Sequence, residues 1–269
     1  MTGRLRSLAW GFLIAIFAIS LGANWLAPAP YAMQFRDFPE ASPSARFPLG
    51  TDELGRDQLS RLLHGSRVSL LLAPAAALIA TLLAALIGGI GGYAGGWPQR
   101  IALGAADLFL SLPWLFLLLT VRAMLPLNVP PLWSVTITFL LLGSLGWAAS
   151  ARVVCAGARM LRDADFVLQA RACGTGGYRL LFVHVLPNLR PVLFAQFGIA
   201  IPVFILSEAN LSFLGLGVAE PLPSWGNLLT QLEKGPSVFA NPWRLAPVLL
   251  LLVVVSCFHL VLSEKDTSQ

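Results

Sequence analysis

The sequence predicts an all-α integral membrane protein with six transmembrane helices. Hydrophobic residues make up 57% of the chain and charged residues 12%, against roughly 45–50% and about 25% in ordinary soluble domains. Several apolar runs reach the roughly 20 residues that cross a hydrocarbon core. These runs are continuous rather than alternating, which excludes a closed β-barrel. Helices remain, because they satisfy their own backbone hydrogen bonds in lipid.

The first span covers Leu8 to Ala27 behind Arg4 and Arg6. It is longer than a signal-peptide core, and Pro30 follows the small-residue stretch at Ala27, so it reads as a retained anchor helix. Residues 28–67 are polar and proline-rich. Near their end Leu59, Leu62 and Leu63 share one helical face, with Arg56, Arg61 and Arg67 elsewhere, which predicts a short amphipathic helix lying at the membrane interface. The second span runs from Val68 to Tyr93. Gly88, Gly92 and Gly96 recur there every four residues, the spacing that lets two helix backbones approach closely in lipid. The third span covers Ile101 to Leu125, with Asp107 near its start and Pro113 inside it. A turn over residues 125–131 leads to a fourth span, Leu132 to Ser150. The longest polar stretch follows, 151–190. The fifth span, Pro191 to Leu214, contains Pro202, and the sixth runs from Trp243 to Leu262. The chain thus divides into an anchor helix and external segment (1–67), a five-helix core (68–262) and a tail (263–269).

The net charge of +5 comes almost entirely from arginine. In a chain this apolar, arginine marks cytoplasmic helix ends rather than nucleic-acid contact. Lys and Arg divide nearly evenly between the two sides of a six-span layout, so charge alone leaves the orientation open. Cys155, Cys173 and Cys257 stand at unrelated spacings and indicate neither a disulfide nor a metal site. His64, His184 and His259 are equally scattered. No catalytic pairing of acids, and no serine–histidine couple, is evident within the spans. No GxxxxGK[ST] occurs, so a phosphate-cradling loop would have to come from a partner.

The 151–190 stretch carries Arg152, Arg159, Arg162, Arg171, Arg179 and Arg190 against Asp163 and Asp165. Within it Ala170 and Gly174 lie one helical turn apart and form a smooth patch that could seat a short helix in another protein's groove. Pro187 is expected to break the helix before the next span. A basic loop beside anionic lipid is the other reading. Glu208 is an acid deep in an apolar span, a functional candidate by default; it either faces a translocation pathway or hydrogen-bonds within the bundle. Asp107 reads as a helix N-terminal charge favoured by the dipole, or as pathway lining.

Three segments carry a family resemblance. Phe166 to Gly174, followed by His184-Val185-Leu186-Pro187-Asn188, resembles the "EAA" loop of ABC importer permeases. Pro48 to Asp57, continuing to Arg67, resembles the segment ahead of the second helix in the peptide/nickel branch. Ser207 to Gly217, with Pro223-Ser224-Trp225-Gly226-Asn227, resembles that branch's fifth-helix exit. Two positions depart from the pattern: Leu168 stands where the family has an acid, and Gln169 where it has the first alanine. The resemblance implies the six-helix type I ABC importer permease fold and the second-permease branch of dipeptide and oligopeptide systems. It also implies a multi-pass protein of the bacterial cytoplasmic (inner) membrane, with both termini and the 151–190 coupling loop inside. Its partners would be a second homologous permease, two cytoplasmic ATPase subunits and an extracytoplasmic substrate-binding protein. ATP and Mg would sit on the ATPases, and this chain would hold no cofactor, metal or nucleic acid. Leu168, Gln169, Ala170, Arg171, Gly174, His184, Leu186 and Pro187 would form the coupling loop. Peptides are the implied cargo, with nickel, glutathione and antimicrobial peptides as alternatives, and a membrane scaffold without transport as a remote one.

Overall fold

The computed structural model describes residues 2–124, 130–234 and 241–262. The expected tail 263–269 and most of the 125–131 turn lie outside them. Among the described residues no β-strand forms beyond an isolated bridge, Thr51 with Asp57. The elements are α1 (Thr2–Leu21), α2 (Ala23–Leu26), α3 (Gln58–Ala94), α4 (Gly96–Ser111), α5 (Trp114–Met124), α6 (Pro131–Leu145), α7 (Ala148–Arg162), α8 (Asp165–Ala172) and α9 (Gly177–Arg179). A π-helical turn (Leu180–Val185) follows, then α10 (Leu186–Asn188), α11 (Arg190–Phe213), α12 (Trp225–Lys234), a 3₁₀ turn (Pro242–Leu245) and α13 (Ala246–Leu262). Among the described residues five helical stretches are long and apolar enough to cross a membrane, and α4 with α5 makes a sixth candidate as a bent pair.

Three boundaries differ from expectation. The interfacial helix is not separate, because residues 58–67 are the first turns of the 37-residue α3. Asp57 starts that helix by accepting from the backbone N–H of Ser60 at 2.7 Å, the N-cap arrangement. The third span is not straight, since α4 and α5 meet at 87°. The cause is Pro113, which forces the residue before it out of the helical region; Leu112 is extended, with φ −84° and ψ 134°. The fourth span does not end at Ser150. After a break at Gly146–Trp147 the helix continues as α7 to Arg162, so the first dozen residues of the expected 151–190 loop are helical.

The chain forms two compact units. The first comprises residues 1–73, 122–139 and 202–269. In it α1 packs along α13. The 28–57 segment folds on itself, with the Thr51 hydroxyl donating to the Phe38 carbonyl and accepting from the Ala41 N–H. The Arg46 guanidinium lies over the rings of Phe35, Phe38 and Phe47 at 5.0–5.4 Å. Trp225 is fully buried, its indole N–H donating to Ser66 Oγ at 2.9 Å and its backbone N–H to Ser69 Oγ at 3.2 Å.

The second unit comprises residues 74–121 and 140–201. Its core gathers Ala84, Ala106, Ala148, Ala151, Val154 and Ala158 with Val167, Leu180, Leu181, Val185 and Leu189. The preponderance of alanine follows from close helix approach: small side chains let backbones meet where lipid offers no hydrophobic drive for association.

Candidate functional site

The coupling segment is built on the core of the second unit. Val167, on α8, is completely buried with Leu180 and Val185. Around that inward side chain Leu168, Gln169 and Arg171 are exposed, and Ala170 is half-buried against the core. The helix ends by a Schellman motif: Thr175 N–H donates to the Ala170 carbonyl at 3.1 Å and Gly174 N–H to the Arg171 carbonyl at 3.0 Å. Gly174 takes φ +80°, a left-handed conformation that a Cβ would strain. The smooth Ala170–Gly174 patch is therefore corrected. Ala170 faces inward, while Gly174 lies past the helix end and is fixed by backbone conformation.

Pro187 does not break the chain's helical course. Helical structure runs from Gly177 to Asn188 and, after a single turn residue at Leu189, resumes from Arg190 to Phe213, and the missing proline N–H is absorbed by the widened turn over Leu180–Val185. Such one-turn π insertions relieve an interrupted hydrogen-bond ladder. Asn188 Nδ2 donates to the His184 carbonyl at 2.6 Å, and Leu186 packs half-buried on the core. Among the described residues no group of three or more His, Cys, Asp or Glu converges as a metal site.

Gly88 and Gly92 lie in the second unit. A methyl group at Gly88 would stand 3.1 Å from the Ala151 carbonyl carbon, and one at Gly92 would stand 2.9 Å from Ala158 Cβ. Gly96 does not share this packing. Nothing lies within 4 Å of its Cβ position, and its φ of +56° marks the turn into α4.

Asp107 is not at a helix start. It lies in the fourth turn of α4 and pairs with Arg152 Nη1 at 3.0 Å, both side chains more than half exposed. Glu208 has no exposed surface. Its carboxylate accepts from Ser212 Oγ at 2.8 Å, Ser224 Oγ at 2.7 Å and the Gly226 N–H at 3.4 Å. Among the described residues of this chain, that enclosure turns it away from open space. Instead it ties the end of α11 to the loop ahead of α12.

Sequence reasoning missed one cluster in the first unit. Arg56 and Arg61 are both buried. Arg56 reaches Asp52 Oδ2 at 2.7 Å and Glu220 Oε2 at 2.6 Å, and Arg61 reaches Glu220 Oε1 at 3.0 Å. Burial alone would raise the carboxyl pKa of Glu220, but the Arg61 and Arg56 guanidinium groups outweigh it and hold it below its usual range. Only the Asp52–Arg56 spacing hinted at this cluster. Beside it lies a cavity of about 320 Å³ lined by Arg122, Ser134, Ser212, Glu220, Asn227 and Gln231, among others. Arg122 is buried and donates to the Leu216 carbonyl and Ser134 Oγ.

The sequence pattern of the binding-protein-dependent transport system inner membrane components matches residues 80–263. The chain belongs to that family. It is thus the permease component of an ABC importer, not an enzyme, with the type I permease fold. The chain is 38% identical over 258 residues to the di/tripeptide transport system permease protein DppC of Pseudomonas aeruginosa, covering 93% of this chain and 82% of that one. It is 32% identical over 252 residues to the oligopeptide transport system permease protein OppC of Mycobacterium tuberculosis, covering 92% and 84%. The two positions that depart from the expected loop pattern, Leu168 and Gln169, both fall on exposed sites of α8.

Proposed function

We infer that this permease moves short peptides across the bacterial cytoplasmic membrane, as one of two permease subunits above two ATPase subunits. An extracytoplasmic binding protein delivers the cargo, and both termini and residues 163–176 lie in the cytoplasm. The observation that carries this reading is α8, a short helix anchored by buried Val167 and half-buried Ala170 with the rest of its surface exposed. A partner that grips it can pull on the core beneath. ATP closure of the two ATPases would then be transmitted through Val167 to Leu180 and Val185, and so to the helices those residues pack against. Peptide cargo rests on the printed names of the two relatives. On this reading the coupling loop comprises Leu168, Gln169, Ala170, Arg171, Gly174, His184, Leu186 and Pro187. Asp107, with Arg152, is retained as a candidate pathway position.

The test is purification of the chain with its co-expressed partners in mild detergent, together with uptake of radiolabelled dipeptides. The wild type should retain the ATPase subunits and take up peptide. Ala172→Trp, a bulky change on the exposed surface of α8, should lose both while leaving the chain folded. A wild-type chain that retains no ATPase refutes the importer reading. Uptake of nickel but not of peptide refutes the cargo.

A further inference from the structure

The chemistry exposed on α8 describes the surface that receives it. Val167 is the residue pointing into the core, so Phe166 and Leu168 fall on opposite flanks of the helix, about 160° apart at 100° per residue. Both are exposed, at 39% and 45%. Gln169 is on top. Just beyond the helix end Tyr178 is 86% exposed, and Arg171 and Arg179 are exposed too. Among the described residues neither arginine takes part in an ion pair, while the nearby Asp163 is taken by Arg162 at 3.1 Å.

A helix lying on a bilayer carries its apolar side chains on one face. Here they stand on two flanks with Asp165 and Gln169 between them, which suits a groove that closes on both sides. Exposed aromatic and arginine side chains are the residue types that anchor protein interfaces. Complementary charge across such a rim sets on-rate and salt dependence.

We propose that α8 fits a groove on the ATPase subunit with apolar walls, which hold Phe166 and Leu168, and an acidic rim, which meets Arg171 and Arg179. This rests on the functional reading above and adds the chemistry of the partner. Asp165 is exposed at the start of this helix, one turn before Gln169 on the same outward face, so the acidic rim is confined to the end of the groove that receives Arg171 and Arg179. The attraction therefore runs from arginines on the permease to carboxylates on the ATPase.

The experiment measures ATPase retention by the detergent-purified complex at about 0.15 M and about 1 M salt, between which the screening length falls from about 8 Å to about 3 Å. The Arg171→Glu/Arg179→Glu variant should bind the ATPase roughly tenfold more weakly at low salt, with the gap closing at high salt. Leu168→Asp should lose binding at both. Retention of the second permease serves as the folding control. Unchanged or tighter ATPase binding by the arginine variant, with the wild type binding normally, overturns the acidic rim and leaves the importer reading standing. The same result with lost binding to phosphatidylglycerol vesicles assigns the arginines to lipid instead. Absence of ATPase from the wild-type complex overturns both readings.

Discussion

Replacing Gly92 by alanine should destabilise the protein although it removes a poor helix former. The added methyl would sit 2.9 Å from Ala158 Cβ and 3.0 Å from the Cys155 carbonyl carbon, and closer still to the Cys155 carbonyl oxygen. Carbon atoms pack best at about 3.5–4.0 Å, so α3 and α7 must part by roughly 0.5–1 Å at this point. Overpacking of that kind costs about 1–3 kcal/mol, partly offset by the roughly 0.5–1 kcal/mol gained when a helical glycine becomes alanine. A net loss of about 1–2 kcal/mol is expected. Gly104, in α4, has nothing within 4 Å of its Cβ position, so Gly104→Ala should collect the helical gain alone and unfold later than the wild type. Thermal unfolding in detergent, followed by tryptophan fluorescence, compares the two variants. If Gly92→Ala melts at or above Gly104→Ala, the close approach of α3 and α7 is not what that glycine serves.

Three further expectations concern the first unit. Glu208→Ala leaves two buried hydroxyls and a backbone N–H without their acceptor. It should cost about 2–4 kcal/mol and expose the loop ahead of α12 to limited proteolysis; an unchanged melting temperature would contradict this. Glu220 has a folded-state pKa below its ordinary 4.5. Its contribution to stability is therefore complete above that ordinary value and lost as pH falls through the lower folded value. Glu220→Gln should accordingly be less stable than the wild type at neutral pH, with the difference vanishing in acid. A difference that instead grows in acid would reverse the assignment. Trp225→Phe forfeits the indole bond to Ser66 and leaves a void, so it should destabilise by about 1–3 kcal/mol in the same melting assay.

What the sequence made legible follows from interactions local along the chain. Apolar run length located the spans, and the glycine spacing located the approach of α3 to α7 at Gly88 and Gly92. The bend at Pro113 was also within reach, since an extended Leu112 is what a following proline dictates. Arg61 was not. Read alone, an arginine among leucines at 59, 62 and 63 belongs at an interface, and its burial depends on Glu220, 159 residues away. Asp107 failed for the same reason, because its partner Arg152 lies on another helix. The fate of Pro187 needed the neighbouring ladder, which widens where sequence rules expect a stop. On α8 the sequence located the segment but misread Ala170 and Gly174, because which side of so short a helix faces inward is settled by Val167 and its buried neighbours.

The widened turn over Leu180–Val185 has a consequence for rotational phase. A π turn holds one residue more than the α-turn it replaces, and each residue of an α-helix turns the chain by about 100°. Pro187 makes that surplus residue permanent, since a ladder with no N–H to offer at that position gains little by tightening. If the surplus were squeezed out, the buried faces of Leu180, Leu181 and Val185 would rotate away from Val167, and α8 would lose its footing. The proline thus acts as an angular index, holding the helix that leaves the coupling segment at one fixed setting relative to the knob it supports.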